Sequence, residues 1–500
     1  MMERAQMIPE PLLEVRYHQA VADPHDGLAI FGPVDTDRPE HVASLSYGLV
    51  ATDEGAKAWG SFAKSFEGPI MTESDKDPRL WPPFPGFEAA FCCRWPGEPT
   101  RIETLPRDAL EKAARQRDAN RRAGQVVDRY LGGINRIIQR DEPVGVVICV
   151  VPDFVYLNCR PESRVADGIG NAVSVHERER RRHGQLDLAR SYDPGHYSYS
   201  VDFRRQIKAR SMEYGIPIQI VRESTLVLAP QADEIRSRLT PLCDRAWNLG
   251  VALYYKAGGR PWNLASAREG VCYIGIAYRL TGRGKSGRSA CCAAQMFLDS
   301  GDGIVFRGED GPWYSPERRG FHLSRQAAHD LLTVVLKSYQ GLGGKPLREV
   351  FLHCRSGLDD EEFAGYSQAC PEGVKLVGIR VRQEYGSIRL YREGTRPVLR
   401  GTFLQVNERS GFLWGTGFKP RLGTYDGWET PAPLRIDVQH GDADLVQVAT
   451  DIHGLTKLNY NACKLGDSQP VTILFSDAVG EILVSNPTVK QREQKFRFYI

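Results

Sequence analysis

The chain has 500 residues, a formal net charge of +3, 41% hydrophobic residues and 25% charged residues. This length exceeds the usual size of one hydrophobic core, so two or more domains are expected. The composition excludes a disordered or fibrous protein. Because the net charge is close to neutral, any basic surface that binds a polyanion must be local.

The cysteines and the apolar runs indicate the cellular compartment. The eleven cysteines are an odd number, they include the adjacent pairs Cys92-Cys93 and Cys291-Cys292, and none forms a CxxC motif. This pattern argues against a disulfide framework and against a zinc ribbon. The longest apolar run, residues 144–151, is too short to span a bilayer, and residues 1–6 contain no apolar signal core. We therefore expect a soluble, cytoplasmic protein.

The first half of the chain alternates strands with helices, which implies a Rossmann-like sheet. In chain order, the predicted elements are a buried parallel strand over residues 144–151, a helix over 201–214, a strand over 216–221, and a helix over 232–255 with a break near Pro241. We expect a domain boundary near Trp262, just after the pair Gly258-Gly259, which can end a helix.

The second half begins with consecutive strands and then alternates helices with strands. The predicted elements are strands over residues 273–280, 290–298 and 304–308, a helix from the N-cap Ser324 to Tyr339, a strand over 350–354, a helix that starts at Asp359 and Asp360, and a helix over 444–458. This order fits a ribonuclease H-like fold. The predicted fold class is therefore α/β, with a Rossmann-like domain followed by a ribonuclease H-like domain.

Several segments resemble a known family. Residues 270–278 are similar to the first strand of a PIWI domain, with Ala277 at the position where the family normally has a metal-binding Asp. Further segments resemble short prokaryotic Argonautes, namely residues 254–262, 290–299, 406–414, 455–463 and 498–500. The resemblance implies a MID lobe over residues 1–262, which includes the N-terminal segment, and a PIWI domain over residues 263–500.

The resemblance also implies a site for the 5′ phosphate of a guide. The matching positions are Arg204, Lys208, Gln219, Asn248 and Lys256. Lysine ammonium groups and amide donors make charge-assisted hydrogen bonds to phosphate. Spacings of four and eight residues place Arg204 with Lys208, and Asn248 with Lys256, on single helix faces. Arg204 departs from the Tyr or His that is usual at its position, so it is the weakest match of the five.

The last residues are expected to dock beside this phosphate site. In related proteins the C-terminal carboxylate, here that of Ile500, helps to hold a divalent cation that is shared with guide phosphates. An anionic oxygen ligand suits Mg²⁺. The alternative is a frayed end, but residues 496–500 are too aromatic and apolar to remain in water.

The positions that would carry catalysis lack carboxylates. Two-metal hydrolysis of nucleic acid needs several carboxylates that converge on the ions. Ala277 stands at the first position, and Ser356 stands where the second Asp is usual. Asp477 is a candidate for a surviving late position, but one carboxylate cannot organise two metal ions. We therefore predict that the chain does not cut nucleic acid.

The resemblance to short prokaryotic Argonautes, together with the lost carboxylates, implies a catalytically inactive guide-dependent sensor of prokaryotic immunity. It would carry a small guide RNA with a 5′ phosphate, bind complementary single-stranded target DNA, and activate a separate APAZ-containing effector by further self-association. The similarity of the motifs to those of TIR-partnered members favours a TIR-type NAD⁺ hydrolase as the effector, and a sirtuin-like NAD⁺ hydrolase or a nuclease is the alternative. The sequence also allows two other interpretations: a divergent active ribonuclease H-like nuclease, and a scaffold that binds no guide.

Overall fold

The computed structural model describes residues 5–163, 165, 180–181, 193–228, 239–280, 290–298, 303–315, 320–341, 345–425, 430–485 and 493–500. The strands in this part of the chain are β1 (Gln6–Met7), β2 (Leu13–Val15), β3 (Gln19–Val21), β4 (Tyr47–Ala51), β5 (Arg101–Thr104), β6 (Val146–Val151), β7 (Ile218–Arg222), β8 (Asn263–Leu264), β9 (Val271–Leu280), β10 (Ala290–Phe297), β11 (Gly303–Gly311), β12 (Tyr314–Ser315), β13 (Gly320–Phe321), β14 (Glu349–Cys354), β15 (Lys375–Gln383), β16 (Thr402–Gln405), β17 (Ser410–Trp414), β18 (Leu434–His440) and β19 (Glu493–Lys495).

The α-helices in the same part of the chain are α1 (Pro24–Ile30), α2 (Asp53–Lys64), α3 (Phe87–Phe91), α4 (Arg107–Ala114), α5 (Ala119–Ile138), α6 (Asp153–Asn158), α7 (Phe203–Ser211), α8 (Leu242–Ala257), α9 (Arg325–Gly341), α10 (Asp360–Ala369), α11 (Leu445–Leu455), α12 (Val471–Leu474) and α13 (Ser476–Ser485). No helix among the described residues is long and apolar enough to cross a membrane.

The first half forms a four-stranded parallel sheet in the order β5-β4-β6-β7. Every residue of β6 is buried, as expected for a β-branched run in the middle of a parallel sheet. Helix α7 begins after Asp202, whose side chain accepts from the Arg205 backbone N–H. Helix α8 begins just after Pro241 and ends at Gly258, which has a φ of +115°. The predicted Rossmann-like sheet is confirmed, as are the helix and strand that carry Lys208 and Gln219. The predicted helix over 232–255 is confirmed after the break at Pro241, whereas its residues 232–238 lie outside the described residues.

The second half forms most of a ten-stranded sheet whose central order is β11-β10-β9-β14-β15. Strands β9, β10 and β11 are antiparallel neighbours, whereas β14 is parallel to both β9 and β15. Helices α9 and α10 pack on one face, and α11, α12 and α13 pack on the other. The predicted ribonuclease H-like order is confirmed, including the caps at Ser324 and Asp359.

The N-terminal segment is attached to the second half of the chain. Strand β1 pairs with β16 in the large sheet, and β2 pairs with β8. Lys457 Nζ donates to the Pro11 and Ala22 carbonyl oxygens at 2.7 and 2.6 Å, and it also pairs with the Glu10 carboxylate at 2.9 Å. Arg400 contacts the same carboxylate at 2.9 Å. Sheet contacts therefore cross the boundary proposed at residue 262, which stays a prediction.

Candidate functional site

Two buried lysines form the centre of the candidate site. Lys208 on α7 is 4% exposed, and Lys256 near the end of α8 is 1% exposed. Lys208 Nζ donates to the Tyr499 carbonyl oxygen at 2.9 Å. Lys256 Nζ donates to the Ile218 carbonyl oxygen at 3.0 Å and to Gln219 Oε1 at 2.6 Å. The hydrogen bonds that hold both side chains are therefore made to neutral oxygen atoms.

Among the described residues, no side-chain carboxylate balances the positive charge of these lysines. Across the ranges that the structure describes, neither lysine forms an ion pair. Burial lowers the pKa of Lys256 to about 7, and the charge of Arg204 contributes to the shift. Burial is also the main cause that lowers the pKa of Lys208 far below its ordinary value, followed by the charges of Lys256 and Arg204. A bound anion would reverse both shifts.

Arg204 and Gln219 complete the cluster around the lysines. Arg204 is exposed and lies one helical turn before Lys208 on α7. Gln219 on β7 accepts from Lys256 through Oε1 and donates through Nε2 to the Ile220 carbonyl oxygen at 3.2 Å, so its amide is held in one orientation. Four of the five residues predicted for the phosphate site are therefore neighbours. Their contact with a guide phosphate stays a prediction.

Asn248 is the residue that the structure does not bring to this cluster. It lies on α8 eight residues before Lys256, a rise of about 12 Å along the helix axis. Its Oδ1 accepts from the Cys463 backbone N–H at 2.9 Å, so it holds a loop that follows α11. Helical spacing predicts that Asn248 and Lys256 share one face of α8. Two residues on one face can still lie far apart along the helix axis, as these two do.

The end of the chain is docked against the same cluster. Phe496, Tyr499 and Ile500 are buried, with Ile500 only 2% exposed, and they pack into the large apolar core that spans both halves of the chain. Strand β19 pairs with β11, which fixes the direction in which the final residues run. The expectation of a docked terminus is confirmed, whereas the metal-binding role of Ile500 stays a prediction.

A cavity of about 410 Å³ lies next to the end of α8 and the docked terminus. Asp35 in its wall already accepts from the Tyr254 hydroxyl at 2.6 Å and from the Arg260 backbone N–H at 2.7 Å. The cationic residues that line it are Arg38, Arg260, Lys495 and Arg497, against the acidic residues Asp35 and Glu40. These four cations are not predictable from the sequence, because their only signal is a charge that 65 lysines and arginines share.

The strand positions that would carry catalysis lie close to one another. Ala277 is buried on β9, and Ser356 follows the end of β14, the parallel neighbour of β9. Nearby, the Glu481 carboxylate pairs with Arg279 at 2.6 Å and with Arg205 at 2.5 Å, which links β9 to α7. Asp477 belongs to α13, but its side chain lies outside the described residues.

Solved structures of similar fold are Argonaute proteins. The Clostridium butyricum Argonaute bound to a guide DNA and a 19-mer target DNA is 15% identical, with a TM-score of 0.63 over 100% of this chain and 55% of that one. The fold is Argonaute-like. The Aquifex aeolicus Argonaute is 13% identical, with a TM-score of 0.57 over 100% of this chain and 57% of that one. The chain thus spans a little more than half the length of these proteins. No protein-family model matches it, and no curated protein matches its sequence.

The buried charge at Lys256 predicts a specific pH dependence of stability. Because its pKa of about 7 lies below the ordinary value of 10.5, the unfolded chain binds more protons between these values. The contribution of Lys256 to the free energy of unfolding therefore rises as the pH increases from about 7 to 10.5, by up to about 1.4 kcal/mol per pH unit. We expect Lys256→Met to be more stable than the wild type near pH 7 and to lose this advantage towards pH 10.

Urea denaturation at several pH values measures this difference. Lys57→Met is the matched control, because Lys57 is an exposed lysine on α2. A Lys256→Met variant whose stability follows the wild-type pH profile would show that the buried ammonium group is not destabilising.

Proposed function

We propose that this chain binds a small guide nucleic acid by its 5′ phosphate and holds a complementary target strand. The observation that carries the proposal is the pair of buried lysines, Lys208 and Lys256, for which the described residues provide no carboxylate partner. A terminal phosphate has up to two negative charges and three acceptor oxygens, so it would balance both ammonium groups. The Argonaute-like fold supports the proposal, since the C. butyricum protein is solved with guide and target DNA.

The neighbouring residues have distinct roles in this proposal. Arg204, at the exposed edge of the cluster, would contact the phosphate or stack on the first base. Gln219 would donate from its amide after rotation away from Ile220. Lys495 and Arg497, in the wall of the adjacent cavity, would contact the following backbone phosphates. Following the family resemblance, we take the guide to be RNA and the target to be single-stranded DNA.

A Mg²⁺ ion at the guide 5′ end is part of the same proposal. The side chains described around Lys208 are cationic or neutral, so a cation needs ligands from elsewhere. Guide phosphates and the terminal carboxylate of Ile500 are oxygen ligands of the kind that Mg²⁺ prefers. We therefore expect Mg²⁺ to bind there together with the guide and not before it.

The phosphate preference is tested with guides that differ only at the 5′ end. The double variant Lys208→Ala/Lys256→Ala should bind a 5′-phosphorylated guide more weakly, with a loss of affinity of about tenfold or more for each lysine. The reason is that charged hydrogen bonds contribute about 1.5–3 kcal/mol each. A 5′-hydroxyl guide should lose much less affinity. The control variant, Lys57→Ala/Lys64→Ala, removes two exposed lysines on α2. An equal loss of affinity for both guides would contradict the assignment of the phosphate site.

We further propose that the chain does not cut nucleic acid and that a partner subunit carries the chemistry. Ala277 and Ser356 offer a methyl group and a hydroxyl where metal-binding carboxylates would be needed. Glu481, the carboxylate described nearby, pairs with two guanidinium groups. The partner inferred from the resemblance is an APAZ-containing effector, with a TIR-type NAD⁺ hydrolase preferred to a sirtuin-like hydrolase or a nuclease. In prokaryotic immunity, target binding would activate this effector subunit through higher-order assembly.

Two assays test whether this chain cuts nucleic acid and whether a partner subunit carries the enzymatic activity. A labelled target should stay intact when it is incubated with the guide-loaded chain and Mg²⁺ or Mn²⁺. Coexpression with the neighbouring gene should yield a complex in which NAD⁺ is consumed, or nucleic acid is degraded, only after target is added. Cleavage opposite the guide by the purified chain, abolished by Asp477→Asn, would instead identify a divergent active nuclease.

A further inference from the structure

A cluster of possible metal ligands lies on the opposite face of the ribonuclease H-like sheet from Ala277. Its members are His322, just after β13, Asp359, the N-cap of α10, and Glu362, in the first turn of α10. His322 Nδ1 lies 3.8 Å from Asp359 Oδ2 and 3.5 Å from Glu362 Oε2. One ligand atom from each of the three side chains lies within 4.8 Å of the other two.

The remaining polar atoms of these carboxylates are held by neighbouring groups. Asp359 Oδ1 accepts from the Glu362 backbone N–H at 2.8 Å, which is its capping hydrogen bond. Glu362 Oε1 accepts from the Tyr278 hydroxyl and from the Tyr366 hydroxyl, the latter at 3.3 Å. The position of His322 is fixed by its backbone N–H, which donates to the Trp313 carbonyl oxygen at 2.8 Å. Each carboxylate is therefore held by one oxygen, while its second oxygen faces His322 Nδ1.

The environment of Glu362 Oε2 indicates that this cluster binds a cation. Its side chain is 0% exposed, and Oε2 has no hydrogen-bond partner in the part of the chain that is described. A buried carboxylate oxygen without a partner costs free energy that a bound cation would offset. The distance of 3.5 Å to His322 Nδ1 is too long for a charge-assisted hydrogen bond, which is about 2.7–2.9 Å. It is close to the separation of about 3.4 Å between two ligands that share a tetrahedral Zn²⁺.

We propose that His322, Asp359 and Glu362 bind a divalent transition-metal ion, with Zn²⁺ as the best fit. An imidazole nitrogen with two carboxylate oxygens suits Zn²⁺ and its first-row neighbours, whereas Mg²⁺ and Ca²⁺ prefer oxygen ligands alone. The side chains of His322 and Asp359 are 17% and 23% exposed, so an ion can enter and water can occupy the fourth position.

The ion would act as a structural clamp, separate from any ion at the guide 5′ end. It would join the segment after β13 to the start of α10. Through the Tyr278–Glu362 hydrogen bond it would also be linked to β9, one residue beyond Ala277 and on the opposite side of the strand. Metal occupancy should therefore stabilise the ribonuclease H-like sheet whether or not the chain binds a guide.

Zinc titration of the full chain, freed of metal by a chelator, tests the proposal by calorimetry and thermal unfolding. We expect one site that raises the Tm by several degrees. The variants Glu362→Gln and His322→Ala should each weaken Zn²⁺ binding at least tenfold. Glutamine at position 362 keeps an acceptor for both tyrosine hydroxyls. In chelator, Glu362→Gln should be at least as stable as the wild type, because it removes the charge of a buried carboxylate whose Oε2 has no hydrogen-bond partner among the described residues.

Glu361→Gln is the matched control, since Glu361 lies in the same turn of α10 with a side chain that is 74% exposed. This variant should keep wild-type Zn²⁺ affinity, and Mg²⁺ should not substitute for Zn²⁺. Co²⁺ in the site should give the visible spectrum of nitrogen and oxygen ligands without thiolate bands. Equal Zn²⁺ affinity in the wild type and Glu362→Gln, or a dominant thiolate spectrum, would overturn the proposal. So would a wild-type chain that binds no Zn²⁺.

Discussion

The candidate site depends on one constraint, the burial of two lysine ammonium groups for which the described residues provide no carboxylate partner. Both charges are removed from water, and the hydrogen-bond partners that the described part of the chain provides are the carbonyl oxygens of Tyr499 and Ile218 and the amide oxygen of Gln219. Such an arrangement lowers the pKa of both lysines and costs stability in the free chain. A site that is unfavourable when empty binds an anion more tightly, because the anion relieves the repulsion as well as forming new hydrogen bonds.

The same constraint connects distant parts of the chain. Lys208 reaches a carbonyl oxygen 291 positions away, in the terminal segment that strand β19 anchors to the large sheet. Glu481 on α13 joins Arg205 of α7 to Arg279 of β9, so the helix that carries Lys208 is also tied to the ribonuclease H-like sheet. The cluster is therefore built from both halves of the chain, so an anion bound there would contact helices and a terminal segment that are tied to the ribonuclease H-like sheet.

The sequence was sufficient for the elements that local pattern controls. Periodicity and caps act over a few residues, so the sequence predicts the buried strand over 144–151, observed as β6 (Val146–Val151), the capped helix at Asp359 and the meander before β14. Contacts between distant segments were not predictable from such signals. Asn248 lies two turns from the cluster, and β1 pairs with β16 far along the chain. The second oxygen of Asp359, which faces His322, was likewise beyond what a helix-start pattern reveals.

Proton uptake on guide binding tests the central claim most directly. Near pH 8 a 5′ phosphate is already fully ionised, whereas Lys256, with a pKa of about 7, is mostly neutral in the free chain. Calorimetry in buffers of different ionisation enthalpy counts the protons taken up. We predict an uptake of about one to two protons for a 5′-phosphorylated guide, and almost none for a 5′-hydroxyl guide or for the Lys208→Ala/Lys256→Ala variant. The same proton count for both guides would contradict the account.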